Sequence, residues 1–406
     1  MKILYLHQYF QTPNKGVVGI AGTRSYEIAK LLSSFGHKII LITSETNPVL
    51  RAKKRWTIEN IDGIEVHSYP VPYSNEMNFY ERIKAFIFFA YVASIRTLSI
   101  EFDIIFATST PLTIGIPAIF ASIISKKKMI FEVRDLWPDA VAEMFIINKK
   151  SPIYWIAKRL EMLCYKKASH IFALSPGIKN GITRNKIPDE KVTIIPNSCD
   201  LKLFSPEIRS SFYRKKFGIK SEFIVLYFGT FGEANDLSFV LKVAEVLLKN
   251  NHSDIVFILH GKGKESEMLK GICKDKKLSN VIFSNPMPNK EDVAKLISES
   301  DVTLTIYKNI PLLQTCSPNK FFDSLASGKA VITNMDGWIR NIVESNNCGI
   351  YSPPDCPEEF ADNILYLRDN KNKLKQMNLN ARIVAERDFN RVILTQKMNA
   401  IFRRYN

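Results

Sequence analysis

Cysteine is scarce in this 406-residue chain and is never paired. The six cysteines are scattered, with no C-x-x-C and no Cys/His cluster at zinc spacing. That excludes a disulfide scaffold and a zinc finger, and it reads as free thiols in a reducing cytoplasm. Long apolar runs are also missing: no stretch supplies the ~20 apolar residues of a membrane span. The opening MKILYLHQYF has no signal-peptide shape, because His7 and Gln8 break its short apolar run; it reads as a first strand. Acidic residues are outnumbered, 40 Asp+Glu against 56 Lys+Arg, which leaves a net charge of +16. An excess of that size points to an anionic partner: a phosphorylated ligand, a nucleic acid or an anionic membrane surface. The cations come in small groups such as Lys53-Lys54-Arg55, Lys126-Lys127-Lys128 and Lys166-Lys167, not in a tail. At 46% apolar and 24% charged the chain is globular, and its length suggests two α/β domains, not one core.

The most informative stretch is TCSPNKFFDSLASGKAVIT, residues 315–333. Ser317 is placed to cap a helix, and Pro318 fits the first turn, where a missing N–H costs nothing. Phe321, Phe322, Leu325 and Ala326 recur at helical spacing and predict a buried face. Gly328 predicts the helix stop, and Ala330 to Ile332 enters a strand. Asn319, Lys320 and Asp323 stay polar near the start. Free N–H groups and partial positive charge at a helix start suit a phosphate. Asp323, one turn further in, is placed to accept two hydroxyl hydrogen bonds from a ribose.

This stretch resembles the nucleotide-sugar signature of retaining family 4 glycosyltransferases, roughly E-x-x-G-x-x-x-x-E-A-M-A-x-G-x-P-V-I. Asp323 to Ile332 matches the second half, with Asp for the usual second Glu, and Thr315 stands where the first Glu does. The variant S-P-N-K-x-F-D-x-x-A-x-G-K resembles a bacterial branch that builds surface polysaccharides. The resemblance implies the GT-B fold, two Rossmann-like domains facing a cleft. The donor would sit on the second domain and the acceptor on the first.

Along the chain, a strand from Lys2, a glycine loop with Gly16, Gly19 and Gly22, a helix from Thr23 and a strand from Lys38 make a Rossmann-like opening. It does not fit G-x-G-x-x-G, and only Glu45 follows the second strand, so a dinucleotide site is not expected. G-T-R-S-Y-E-I-A-K-L-L resembles the family's acceptor-facing loop and helix, which makes Gly19, Gly22 and Arg24 acceptor-side candidates, Arg24 as an anion contact. Residues 78–99 carry a helix that is apolar nearly all round, with Arg82, Lys84 and Arg96 at its ends. It is read either as buried or as lying in a membrane interface. Met129 to Val133 is a strand ending in R-D-L-W-P-D, which resembles the family's cleft element. Asp135 is then the candidate to orient an acceptor hydroxyl or act as its base, with Trp137 beside it. I-I-P-N-S-C-D-L-K-L-F-S-P resembles the family's domain boundary and places a linker near Ser205.

In the second half, the Gly229-Thr230-Phe231-Gly232 turn after a strand can bring N–H groups against a pyrophosphate. The family's Arg and Lys of this loop are Thr230 and Asn235 here, so the charge would come from Lys320 and Lys262. His260-Gly261-Lys262-Gly263 resembles the family's G-x-G turn, and the Phe283–Asn285 region is expected to stack the base. The expected domains are 1–205 for the acceptor, 206–385 for the nucleotide sugar, and a helix in 386–406 that returns to the first domain.

The resulting expectation is a metal-independent retaining transferase. It would move a sugar, an N-acetylated or deoxy hexose, from a UDP-sugar to a lipid-linked or oligosaccharide acceptor. No D-x-D occurs to hold a metal, and no cofactor is expected. The donor set is Ser317, Asn319, Asp323, Gly229, Thr230, Gly232, Gly261, Lys262 and Phe283, with Lys320 and Asp135 catalytic. The implied setting is surface polysaccharide assembly, lipopolysaccharide or capsule, at the cytoplasmic face of the plasma membrane. Two other classes compete: a UDP-sugar 2-epimerase of the same architecture, which needs no acceptor, and a nucleic-acid binder, which the charge alone suggests and no motif supports.

Overall fold

The structure is a computed structural model that describes residues 1–13, 23–45, 55–73, 77–144, 147–286 and 289–405. The chain forms two compact units. The first holds Met1–Thr12, Thr23–Pro196 and the end of the chain from Val392; the second holds Asn197–Arg391. The boundary thus falls upstream of Ser205, because Cys199 and Phe204 are already buried with Ile219, Ala381 and Phe389 in the second core.

In the first unit the elements run β1 (Lys2–Leu6), α1 (Arg24–Ser34), β2 (Lys38–Glu45), β3 (Thr57–Ile61), β4 (Ile64–Pro70), α2 (Phe79–Thr97), β5 (Ile104–Thr108), α3 (Gly115–Ser125), β6 (Met129–Val133), α4 (Asp139–Glu143), α5 (Pro152–Lys167), β7 (His170–Ala173), α6 (Pro176–Thr183) and β8 (Val192–Ile194). The sheet order is β3-β4-β2-β1-β5-β6-β7-β8. Every pairing but one is parallel, as in Ile3 opposite Ile39 and Ile104. The apolar strands are buried on both faces, which a parallel sheet under two helix layers requires. The exception is β3, antiparallel to β4 and outside the sequence expectation. Its signal is the Asp62-Gly63 pair, both at positive φ, which closes a tight hairpin. Side chains alternate across the strands. Tyr5, Leu41 and Phe106 meet α1, while Phe131 faces Gly115 of α3 on the other side.

In the second unit come α7 (Phe212–Phe217), β9 (Phe223–Thr230), α8 (Leu237–Lys249), β10 (Ile255–Lys262), α9 (Ser266–Asp275), β11 (Val281–Ser284), α10 (Lys290–Glu299), β12 (Val302–Thr305), α11 (Asn319–Ala326), β13 (Val331–Thr333), α12 (Trp338–Ser345), β14 (Gly349–Tyr351), α13 (Pro357–Asp369) and α14 (Lys371–Asp388). The order β11-β10-β9-β12-β13-β14 is parallel throughout. One face packs Tyr227, Phe257 and Leu304 against α8 and α13; the other packs Leu226, Ile258 and Val331 against α10, α11 and α14. The last helix, α15 (Arg391–Arg404), buries Leu394, Met398 and Phe402 beside Ile3 and Ile28 of the first unit.

Candidate functional site

Helix α11 joins the carboxyl end of β12 to β13, so its start lies at the edge of a parallel sheet where such folds hold ligands. Phe321, Phe322, Leu325 and Ala326 are fully buried, as the spacing predicts. The stop is a Schellman motif: Gly328, at φ +61, donates to Leu325 O, and Lys329 donates to Ser324 O. The start differs from expectation. Pro318 occupies the N-cap and no side chain caps the helix. Ser317 instead ties down Asn197, its Oγ accepting the Asn197 N–H at 3.0 Å and its carbonyl accepting the Asn197 side-chain amide. With a proline as N-cap, the helix start keeps N–H groups that no cap side chain covers.

Lys320 stands in the first turn. Its ammonium donates to Tyr227 Oη at 2.9 Å and to Asn235 Oδ1 at 2.8 Å. It lies 4.2 Å from the Tyr227 ring centre and 5.2 Å from that of Tyr307. Tyr227 gives its own proton to Thr230 O, which leaves an oxygen lone pair for the lysine. Asn334, after β13, holds Tyr307 by bonds to both its N–H and its carbonyl. No carboxylate pairs with Lys320 among the described residues. Desolvation alone therefore acts on it and lowers its pKa to about 7. Gly229 belongs to this arrangement. It sits at φ +144, and a Cβ there would lie 3.3 Å from Lys320 Cε.

The other donor candidates fall along the same edge. Gly261 and Lys262 pair with Gly229 and Thr230 across β9 and β10. A Cβ on Gly261 would stand 1.9 Å from Gly229 O, so this glycine is required by strand contact whatever binds nearby. The Lys262 side chain is exposed, and its carbonyl accepts Phe231 N–H. A Cβ on Gly232 would make only ordinary contacts, the nearest at 3.5 Å, so the backbone there stays open to a ligand. Phe283 is partly exposed and packs edge-on against Phe231. Asn319 is exposed, and Asp323 is partly exposed one turn after it. Tyr227 and Tyr307 escaped the sequence reading, since each lies inside or just after an apolar strand and nothing local marks it as a lysine's neighbour.

In the first unit Asp135 follows β6. Burial raises its carboxyl pKa against the opposing pull of the Thr110 hydroxyl, which bonds it at 3.3 Å, and of Arg134. Its carbonyl accepts the Trp137 N–H. A carboxyl of raised pKa at the ligand edge of a sheet suits a hydroxyl contact or a proton acceptor.

Arg24 departs from expectation. Its side chain is 7% exposed and pairs with fully buried Glu132 at 2.7 Å. Its remaining donors reach Pro196 O and Ile195 O. Arg134 completes the cluster, bonding Glu132, Thr108 and Ser25. Burial pushes the Glu132 carboxyl up, but the two guanidiniums outweigh it and hold the pKa at about 2. Arg24 is thus a structural tie between α1, β6 and the end of β8, and the anion it meets among the described residues is Glu132. Gly19 and Gly22 lie outside the described residues. At the end of β1, His7 Nδ1 and Gln8 Oε1 are buried with no hydrogen-bond partner among the described residues. In the sequence these two residues show only as the break in an apolar run.

Residues 210–384 match the family model for group 1 glycosyl transferases, and residues 21–198 match that of the glycosyl transferase 4-like domain. The two models take in most of both units, and the chain is a glycosyltransferase of the GT-B fold. It is similar to the uncharacterized glycosyltransferase MJ1069 of Methanocaldococcus jannaschii, 24% identical over 345 residues, 84% of this chain and 82% of that one. A probable glycosyltransferase of Pseudomonas aeruginosa, WbjE, is 20% identical over 82% of each chain. Among solved structures, a sucrose-phosphate synthase from Thermosynechococcus elongatus superposes with a TM-score of 0.76 at 15% identity, covering 99% of this chain and 98% of that one. Anabaena HepE, solved in complex with UDP-glucose, gives 0.71 at 17% identity, with 99% of each chain covered.

Proposed function

We propose that this glycosyltransferase takes its sugar from a UDP-sugar bound at the carboxyl edge of the second unit and passes it to a saccharide hydroxyl, with retention and without a metal ion. The carrying observation is Lys320, a desolvated ammonium in the first turn of α11 that has two neutral hydrogen-bond partners and no carboxylate among the described residues. A diphosphate beside it supplies the missing counter-charge. As the sugar–oxygen bond breaks, negative charge grows on the leaving phosphate, and a preplaced cation with open helix N–H groups stabilises that growth. Asp323 accepts the ribose hydroxyls, and the base stacks near Phe283. On the acceptor side, Asp135 orients the attacking hydroxyl or accepts its proton, and His7 Nδ1 and Gln8 Oε1, which have no partner among the described residues, are polar groups that sugar hydroxyls can satisfy. The UDP complexes of HepE support the choice of base. A setting in surface polysaccharide assembly draws support from WaaG, a glycosyltransferase involved in lipopolysaccharide biosynthesis, which superposes at a TM-score of 0.70 and 14% identity.

The test is a thermal-shift panel of UDP, GDP, ADP and their sugars on the wild type and on Asp323→Ala. Stabilisation by the uridine set alone, lost in the variant, supports the donor site. Stabilisation by no nucleotide overturns it. Turnover that EDTA abolishes overturns the metal-free scheme, and release of a rearranged sugar without any acceptor would mark an epimerase instead.

A further inference from the structure

The outer surface of the first unit carries an apolar face that its core does not need. Helix α2 buries Ala85, Phe89, Ala90 and Ala93. Its opposite side exposes Tyr80, Ile87, Phe88, Tyr91 and Ile95, with Leu98 at its end. These recur at spacings of three, four and seven, so they form one stripe. Helix α3 packs beside α2 and exposes Ile116, Ile123 and Ile124. Helix α5 packs beside α3 and exposes Ile153, Trp155, Ile156 and Leu163, with Trp155 and Ile156 at 58% and 68% of full exposure. Thirteen of the twenty-one large apolar side chains exposed among the described residues therefore lie on three adjacent helices. Single exposed apolar residues are ordinary; a continuous field of this kind marks a contact surface.

The exposed charges on and between these helices are mostly basic. Lys84 on α2, the run Lys126–Lys128 after α3, and Arg159, Lys166 and Lys167 on α5 are all exposed. Among the acids of these helices, Glu81 is exposed and closes the α2 capping box, while Glu161 is 1% exposed. Aromatic and branched aliphatic side chains ringed by cations suit the interface of an anionic bilayer. No helix of the described residues is long and apolar enough to cross a membrane, so the contact would lie along the surface.

We propose that α2, α3 and α5 form a single docking face for an anionic lipid surface, with Trp155 and Ile156 inserted among the headgroups. The topology adds a reason. Each of these helices begins at the carboxyl edge of the sheet and runs back, so Tyr80, Ile116 and Trp155 lie near the edge that carries Asp135. A bilayer on this face would meet the acceptor edge of the same unit. The docking goes beyond the donor reading and does not need it.

The experiment is co-sedimentation of the full chain with phosphatidylcholine vesicles, with and without phosphatidylglycerol. The wild type is expected to pellet with phosphatidylglycerol vesicles and to be released by salt. The double variant Trp155→Glu, Ile156→Glu and the single variant Tyr91→Glu are expected to partition about tenfold or more weakly. Phe212→Glu, at an exposed apolar residue of the second unit, is expected to pellet as the wild type does. Trp155→Phe keeps the apolar contact and should pellet while losing the blue shift of tryptophan emission seen on binding. Wild-type protein that stays in solution with anionic vesicles overturns the proposal, as does undiminished binding of the Glu variants. A dimer in solution that the Glu variants split overturns it in favour of a second copy. Nucleotide binding is read separately by thermal shift, so failure of the donor reading and failure of docking are told apart.

Discussion

Each unit holds a partly or fully desolvated cation at the carboxyl end of its sheet, and the two are handled in opposite ways. Arg24 meets a carboxylate, two backbone carbonyls and a second arginine that shares the same Glu132. Lys320 meets a phenol and an amide. The first arrangement is tied within the unit: the Arg24 guanidinium meets a carboxylate and two backbone carbonyls, and Arg134 shares that carboxylate. The second is electrostatically incomplete, and its cost shows in the fall of the lysine pKa to about 7. A desolvated charge with no counter-charge among the described residues is poor evidence of stability and good evidence of a site.

Four substitutions or conditions sharpen that contrast. Glu132→Ala removes the hub of the Arg24 cluster and leaves two guanidiniums facing each other in the core. It should lower unfolding stability by about 3–5 kcal/mol in urea titration, with UDP affinity of the remaining folded protein unchanged. Loss of affinity alone, at full stability, would break the comparison.

Lys320→Ala should do the reverse. Turnover is expected to fall about 10²-fold or more, measured at saturating donor, while the free protein unfolds no more easily than the wild type. The sign of its pH dependence follows from the shift. Between about 7 and 10.5 the unfolded chain binds the lysine proton and the folded chain does not, so wild-type stability gains a rising contribution with pH across that window. The alanine variant should lose that slope.

The donor affinity should also depend on pH. An anion next to Lys320 raises its pKa again, so binding above about 7 takes up a proton. The dissociation constant for UDP-glucose should then climb by up to about tenfold per pH unit above neutrality. Calorimetry in buffers of different ionisation heat detects the proton directly, and a flat profile would remove Lys320 from the phosphate site. The smallest effect is expected of Gly229→Ala. Its φ of +144 and the 3.3 Å approach to Lys320 Cε should cost about 1–3 kcal/mol of stability, with a raised donor KM that the equally small Gly232→Ala does not show.

The helix of residues 319–326 was legible because everything that makes it is local. Its aromatic spacing and its glycine stop sit within one short run, and the structure departs only at the cap, where Ser317 turns to Asn197. The buried parallel strands were legible for a similar reason: Val, Ile, Leu and Phe runs of strand length leave few alternatives. The strand Thr57–Ile61 was readable from Asp62-Gly63 but is so exposed and polar that hydrophobic period does not report it. The ion pair of Arg24 was not legible because its partner is 108 residues away, and no local pattern distinguishes a guanidinium that meets a carboxylate from one that meets a ligand. The apolar face was half visible. The sequence marked residues 78–99 as too apolar all round, whereas α3 and α5 look like ordinary core helices until their outer sides are seen to be uncovered.

The order of strands and helices, the glycine turns and the polar start of α11 were determined by the sequence itself, since each depends on neighbours within a few residues. The states of the two cations, Arg24 and Lys320, were decided only by the tertiary structure. Charge pairing depends on which groups end within about 4 Å of each other, and the partners that decide it, Glu132 for Arg24 and Tyr227 for Lys320, come from strands 108 and 93 residues away along the chain.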